Sequence, residues 1–155
     1  MSLNFVESLE KTAADIKRPP ALPTGTYEWQ IKKYEIDSSN DGRWDICNFH
    51  LTCTGVVEVD DPEALADFGS AVGTYMRYAF MFDTEDRARF DQTQFKLKKF
   101  LTDHVQCWSE GNGSGALKEG LANSIGHKFN GLVRWRADKQ DPDVQYAEIG
   151  KTTPL

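Results

Sequence analysis

Three segments of the chain, residues 43–54, 73–82 and 128–136, alternate between apolar and polar residues. A period of two is typical of β-strands that bury one face. The apolar sides, which we expect to form a core, consist of Cys47, Phe49, Leu51, Cys53, Met76, Tyr78, Phe80, Phe82, Phe129, Val133 and Trp135. The opposite sides carry the remaining rings and cations, which are Trp44, His50, Tyr75, Arg77, Lys128, Arg134 and Arg136.

Another strand is predicted after the turn at residues 23–25, and its alternation changes phase at Lys32 and Lys33. Its apolar positions are first Tyr27, Trp29 and Ile31, and then Tyr34 and Ile36. One extra residue reverses the facing of a strand, which is the effect of a β-bulge. A long, bulged strand of this kind can curl and pair in both halves of a small barrel.

Helical spacing separates the third predicted strand from the fourth. Residues 86–107 begin after an acidic run, which suits the positive end of a helix dipole, and carry an apolar stripe. The stripe consists of Phe90, Leu97, Leu101, Val105 and Trp108. A short helix at 116–124 and a last strand at 144–149 complete the pattern. This order predicts a mainly β fold, an OB-fold-like Greek-key barrel of five strands with one long helix between strands 3 and 4 and short accessory helices.

The 155 residues predict one domain over residues 21–155, preceded by an N-terminal arm or short helix at 1–20. Loose helical spacing in this segment involves Leu3, Val6, Leu9, Ala13 and Ile16. Two interpretations fit this spacing. The segment is either a short helix packed on the domain or an arm that docks on a partner subunit and supports a homo-oligomer.

The net charge of −6, taken alone, argues against a polyanionic partner. The acidic residues are unevenly placed, however, and one group lies in a predicted loop at residues 58–67. Three cysteines without a C-x-x-C pair predict free thiols in a reducing compartment. No apolar run is long enough to span a membrane, and the N-terminus lacks a secretory pattern, so a cytoplasmic location and no membrane partner are expected.

Motifs that would indicate an enzyme are incomplete. Cys47, His50 and Cys53 resemble metal ligands, but strand alternation points the histidine away from both cysteines. The glycines at 111 and 113 follow a helix instead of a strand, and a phosphate loop ending at residues 150–152 would need glycine where Gln145 stands. A nuclease-like set at residues 142–151 places Lys151 one position out of register with Glu148. No enzymatic activity, metal or cofactor is therefore predicted.

A binding function fits the residues better. Exposed rings stack on bases, and neighbouring cations contact phosphates, so the two together favour single-stranded nucleic acid. The candidate rings are Tyr34, Trp44 and Tyr75, and the candidate cations are Lys32, Lys33, Arg43, Arg77, Lys128, Arg134 and Arg136. The long helix needs its apolar face for the barrel, so sequence-specific reading of duplex DNA is not expected.

Several stretches resemble a family of small bacteriophage proteins regarded as single-stranded DNA-binding proteins with an OB-fold. These are residues 22–27, 31–35, 44–46, 125–129 and 144–149. The resemblance implies a protein of DNA replication or recombination that coats exposed strands and works with other proteins of those processes. Many such binders end in an acidic tail, whereas this sequence ends in Gly150–Leu155, so the acidic segment 58–67 is a possible substitute. The alternative is a β-barrel module for protein–protein interaction in phage assembly or host takeover.

Overall fold

The computed structural model describes residues 4–15, 21–109, 115–141 and 145–155. The chain forms five strands and several short helices, so the fold is mainly β, as the alternation predicts. In chain order the elements are α1 (Phe5–Ser8), β1 (Gly25–Ser38), β2 (Trp44–Val59), α2 (Pro62–Phe68), β3 (Tyr75–Asp83), α3 (Arg87–Lys99), a π-helix (Phe100–His104), α4 (Leu117–Ser124), β4 (Lys128–Ala137) and β5 (Gln145–Thr153).

The strands form one antiparallel sheet in the order β3-β2-β1-β4-β5. The central strand β1 pairs with β2 along its length and with β4 over its first six residues. Its register shifts between Ile31 and Lys33, so the predicted bulge is confirmed. Beyond the bulge Tyr34 lies opposite Phe49 and packs against the core, whereas Ile36 is 61% exposed.

The core lies on one side of this sheet, on the faces that the alternation selects. Phe49, Phe80 and Phe129 come from three different strands and surround Phe100 of the π-helix. The ring centroid of Phe100 lies 5.2 Å from that of Phe49, 5.4 Å from Phe80 and 5.0 Å from Phe129. The helical segment between β3 and β4 therefore packs against the inner face of the sheet.

The sheet is open, and β3 and β5 are its two edges. A buried polar contact nevertheless connects these edges. Thr152 of β5 lies near the hydroxyl of Tyr78 of β3, and its Oγ1 lies 2.6 Å from Nδ1 of His104 in the π-helix. The edges are thus held close together through side chains.

Two predictions about local structure are wrong. The acidic segment is not a loop, because β2 continues to Val59 and α2 follows it. Asp61 caps that helix by accepting hydrogen bonds from the amides of Glu63 and Ala64, and proline occupies its first turn. Trp135 is not core but 47% exposed, because it lies beyond Val133, where the pairing of β4 with β1 ends.

The helical predictions hold only in part. The segment predicted at 86–107 is α3 followed by the π-helix, which ends at His104. The N-terminal helix is reduced to α1, and none of its residues is buried. Residues 1–3, 16–20, 110–114 and 142–144 lie outside the described part of the chain. Six residues of the motifs considered above fall in these gaps, namely Leu3, Ile16, Gly111, Gly113, Pro142 and Asp143.

Candidate nucleic-acid interface

The outer face of the sheet carries an exposed aromatic ring at the start of the edge strand β3. Tyr75 of β3 is 55% exposed and lies diagonally across from His50 of β2. Its hydroxyl is hydrogen-bonded to Nδ1 of His50, and the two ring centroids are 5.7 Å apart. The hydrogen bond restrains the tyrosine ring while leaving more than half of the residue open to solvent.

Arg77 lies two residues beyond Tyr75 on the same face and directly opposite His50. Alternation along β3 explains this placement, since residues 75 and 77 must share a side. Within the described part of the chain, the Arg77 side chain has no hydrogen bond and no ion pair. An exposed ring and an uncompensated guanidinium therefore stand side by side.

The same row continues onto β1, where Lys33 lies opposite His50. The ammonium of Lys33 is 2.8 Å from Oε1 of Glu35, and Nε2 of His50 is 3.5 Å from that oxygen. The hydrogen bond from Lys33 lowers the pKa of Glu35, and both side chains are exposed to solvent. The charge of Lys33 is thus largely balanced by its neighbour.

Two further candidate cations are also paired with carboxylates. Nζ of Lys128 lies 3.2 Å from Oε1 of Glu28, and Thr54 donates a 2.8 Å hydrogen bond to the same oxygen. The hydrogen bond from Thr54, followed by that from Lys128, lowers the pKa of Glu28. Nη1 of Arg136 lies 3.4 Å from Oε2 of Glu148.

Arg43 and Trp44 lie at a different place, where β2 begins after the hairpin turn. Arg43 forms a bidentate ion pair with Asp83, with Nε 3.2 Å from Oδ1 and Nη2 2.9 Å from Oδ2. The hydrogen bond from Arg43 holds the pKa of the buried Asp83 carboxyl below its usual range. Its guanidinium also lies 5.3 Å from the ring centroid of Trp44, which is half-buried. Trp44 is six residues from His50 along β2, or roughly 20 Å. This pair therefore braces the sheet at a distance from Tyr75.

Lys32 and Arg134 resemble Arg77 in one respect. In the described residues, neither side chain has a hydrogen bond or an ion pair. Lys32 occupies the bulge of β1, and Arg134 lies on β4 over Gly150, where an added Cβ would be 2.8 Å from its Nε. The remaining ring, Tyr34, is half-buried on the core side.

The structure therefore brings together only part of the predicted set. Tyr75, Arg77 and Lys33 share one row with His50, whereas Tyr34 faces inward and Trp44 lies near the end of the sheet. His50 is not among the candidate binding residues predicted from the sequence, yet it hydrogen-bonds Tyr75 and lies 3.5 Å from Glu35. Only the strand register reveals this contact, because residues 50 and 75 are far apart in sequence.

The three residues of β2 that resemble metal ligands in the sequence do not share one face of the strand. Cys47 and Cys53 are buried on the inner face, opposite to His50. Burial raises the pKa of the Cys47 thiol to about 11, which disfavours the thiolate that binds metals. Among the described residues, no group of three or more histidines, cysteines and carboxylates is placed to hold a metal ion.

No helix in the described ranges is long and apolar enough to cross a membrane. Comparison with protein-family models and with curated proteins finds no match to this chain. The functional assignment therefore depends on the geometry of the outer face.

Proposed function

We propose that this chain is a non-enzymatic, sequence-tolerant single-stranded DNA-binding protein that acts in phage DNA replication or recombination. The observation that carries the proposal is the pair Tyr75 and Arg77 on the outer face of β3. A restrained, exposed ring offers a stacking surface for a base, and the adjacent guanidinium offers a partner for a phosphate.

We also propose that this open five-stranded sheet is an OB-fold-like barrel, which would support the function because OB-folds bind oligonucleotides on the face formed by strands 2 and 3. Here β1 is bulged and pairs with both β2 and β4, as the first strand of such a barrel does. The contacts of Thr152 with Tyr78 and His104 draw the two sheet edges together. Tyr75, Arg77 and His50 lie on the β2–β3 face.

The ion pairs limit how strongly phosphates can be bound. Lys33, Arg43, Lys128 and Arg136 are each compensated by a carboxylate. The cations left over are Lys32, Arg77 and Arg134. With about three phosphate contacts, the logarithm of the binding constant should fall with the logarithm of salt concentration at a slope of roughly −2.

A fluorescence titration with oligothymidine over a series of salt concentrations tests the proposal. We expect binding at low salt that weakens along this shallow slope, with no degradation of the oligonucleotide when divalent metal is added. Absence of binding at low salt would refute the proposed function. Metal-dependent degradation would instead indicate a nuclease.

Tyr75→Ala provides the sharper test. Loss of one stacked base costs roughly 1–3 kcal/mol, so affinity should fall about 5-fold to 150-fold while the fold is retained. Ile125→Ala is the control, because Ile125 is an exposed apolar residue (49%) at the end of α4 and not on the sheet. Equal effects of the two variants would contradict a stacking role for Tyr75.

The alternative function is a β-barrel module for protein–protein interaction, in phage assembly or host takeover, without nucleic-acid binding. The observation that favours it is that four of the candidate cations are already neutralised on a chain of net charge −6. A pull-down that recovers a partner protein after nuclease treatment, together with a flat oligothymidine titration, would support this function over DNA binding.

A further inference from the structure

The N-terminal segment, residues 4–11, exposes a cluster of apolar side chains. Phe5 is 77% exposed, Val6 63% and Leu9 65%. Asn4 caps α1 by accepting a 2.9 Å hydrogen bond from the amide of Val6, so the segment begins a helical turn. In that turn positions 5 and 9 lie above one another with position 6 beside them. Clustered apolar exposure of this kind marks an interaction surface.

A groove on the solvent side of α3 offers apolar surface of the matching kind. It measures about 300 Å³, and its lining residues are Asp91, Gln94, Phe95, Lys98, Trp108 and Leu117. An adjoining pocket of about 280 Å³ shares Phe95 and Lys98 and adds Lys99, Thr102 and Asp103. Phe95 therefore stands between two recesses and is 63% exposed.

The wall of this groove is fixed by packing and by a hydrogen bond. The indole nitrogen of Trp108 donates to the carbonyl oxygen of Gly115 over 3.3 Å. The ring also lies against Gly120, where an added Cβ would be only 2.7 Å from it. A restrained wall loses little conformational freedom when a ligand binds, which favours a preformed site.

The segment and the groove complement each other in charge as well. Glu7 and Glu10 accompany the apolar residues of the segment, whereas Lys98 lines both recesses and Lys99 lines the second. Asp91 also lines the first recess and Asp103 the second, and Lys11 ends the segment with the opposite charge. Acidic side chains can thus meet basic ones while the rings pack between them.

We propose that residues 4–11 of one copy of this chain dock in the α3–α4 groove of a second copy. Within a single chain Phe5 and Phe95 are both exposed, so the segment does not cover the groove of its own domain. Reciprocal exchange between two copies covers both segments and both grooves around a two-fold axis. The contact is small, so the association is reversible and concentration-dependent.

Sedimentation velocity of the full chain without DNA, over a wide range of protein concentration, tests the proposal. We expect a reversible dimer that Phe5→Asp and Phe95→Asp each weaken by about tenfold or more, as loss of a central aromatic contact does. Val72→Asp is the matched control, because Val72 is 56% exposed and lies outside both recesses, and it should leave the dimer intact. A monomer at every concentration, or equal weakening by the control, would overturn the proposal.

Charge-reversal variants distinguish this specific docking from non-specific hydrophobic association. Glu7→Lys and Lys99→Glu should each weaken the dimer, and the double variant should recover part of the loss. A second experiment applies an amine cross-linker to a mixture of nitrogen-15-labelled and unlabelled protein. It shows whether Lys11 is cross-linked to Lys99 of the same chain or to Lys99 of another chain. Mixed-isotope products support exchange, whereas products from within one chain only would overturn it. These assays contain no nucleic acid, so their failure leaves the proposed DNA binding unaffected.

Discussion

The inner and outer faces of the sheet are formed by alternate residues of the same strands, yet different interactions stabilise their side chains. On the inner face Phe49, Phe80 and Phe129 gather around Phe100 at ring distances of 5.0–5.4 Å or pack on one another. On the outer face Lys33 and Lys128 each depend on one particular carboxylate. Burial of apolar surface is non-directional, whereas an ion pair needs a specific partner at a specific position. The contacts of the inner face therefore depend on which residues point inward, whereas those of the outer face also depend on which residues lie opposite one another.

The largest effect is expected from removing the ring at the centre of the inner face. Phe100→Ala should lower the free energy of unfolding by about 3–5 kcal/mol, because it leaves a cavity among three strands. Phe95→Ala removes an exposed ring from the same helical segment and should cost about 0.5 kcal/mol or less. Urea denaturation measures both values. Similar losses for the two variants would show that the segment does not seal the core.

On the outer face, the contrast is between a compensated and an uncompensated arginine. Arg77→Ala should reduce the salt slope of oligothymidine binding by about 0.7, the value for one phosphate contact to a single strand. Arg136→Ala removes the same charge but breaks an existing pair with Glu148, so the slope should change little. Fluorescence titrations at matched salt concentrations measure both. Equal changes would mean that only net charge matters and that no phosphate is bound at Arg77.

The same contrast explains what the sequence could predict. Alternation placed Phe49, Phe80 and Phe129 in the core, and the phase change at Lys32 and Lys33 placed the bulge, because both follow from period two along one strand. The hydrogen bond between His50 and Tyr75 and the ion pairs of the cations depend on register between strands. Periodicity excludes a slip of one residue, which would reverse the faces, but not a slip of two, so the exact partner of each side chain also depends on turns and bulges.

The end of β4 shows a second limit. Trp135 continues the inward alternation of its strand, but β1 no longer covers it there. Its indole nitrogen instead donates a 2.7 Å hydrogen bond to the carbonyl oxygen of Leu22. Side-chain facing is thus predictable from the strand itself, whereas burial also requires knowing where the neighbouring strand begins.

Replacing His104, in the π-helix that packs against the inner face, should have a smaller and pH-dependent effect on the free energy of unfolding. Burial lowers the pKa of His104 below its ordinary value, so the folded protein resists protonation that the unfolded chain accepts. The unfolded state therefore binds more protons as pH falls through about 6.5, and stability is lost towards acid. His104→Gln keeps a polar partner for Thr152 but removes this titration. Urea denaturation from pH 7 to pH 5 should show the unmodified protein losing more stability than the variant, and parallel losses would contradict the assignment.

The smallest effect is expected from Tyr75→Phe, which separates the two properties of that residue. The variant keeps the ring and loses only the hydroxyl bonded to His50, so the free energy of unfolding should fall by about 0.5 kcal/mol, the low end for an exposed hydrogen bond. If stacking is what Tyr75 contributes, oligothymidine affinity should remain within about twofold of the unmodified protein, in contrast to the large loss in Tyr75→Ala. A fall in affinity as large as that of the alanine variant would show that orientation by His50, rather than the ring surface alone, determines binding.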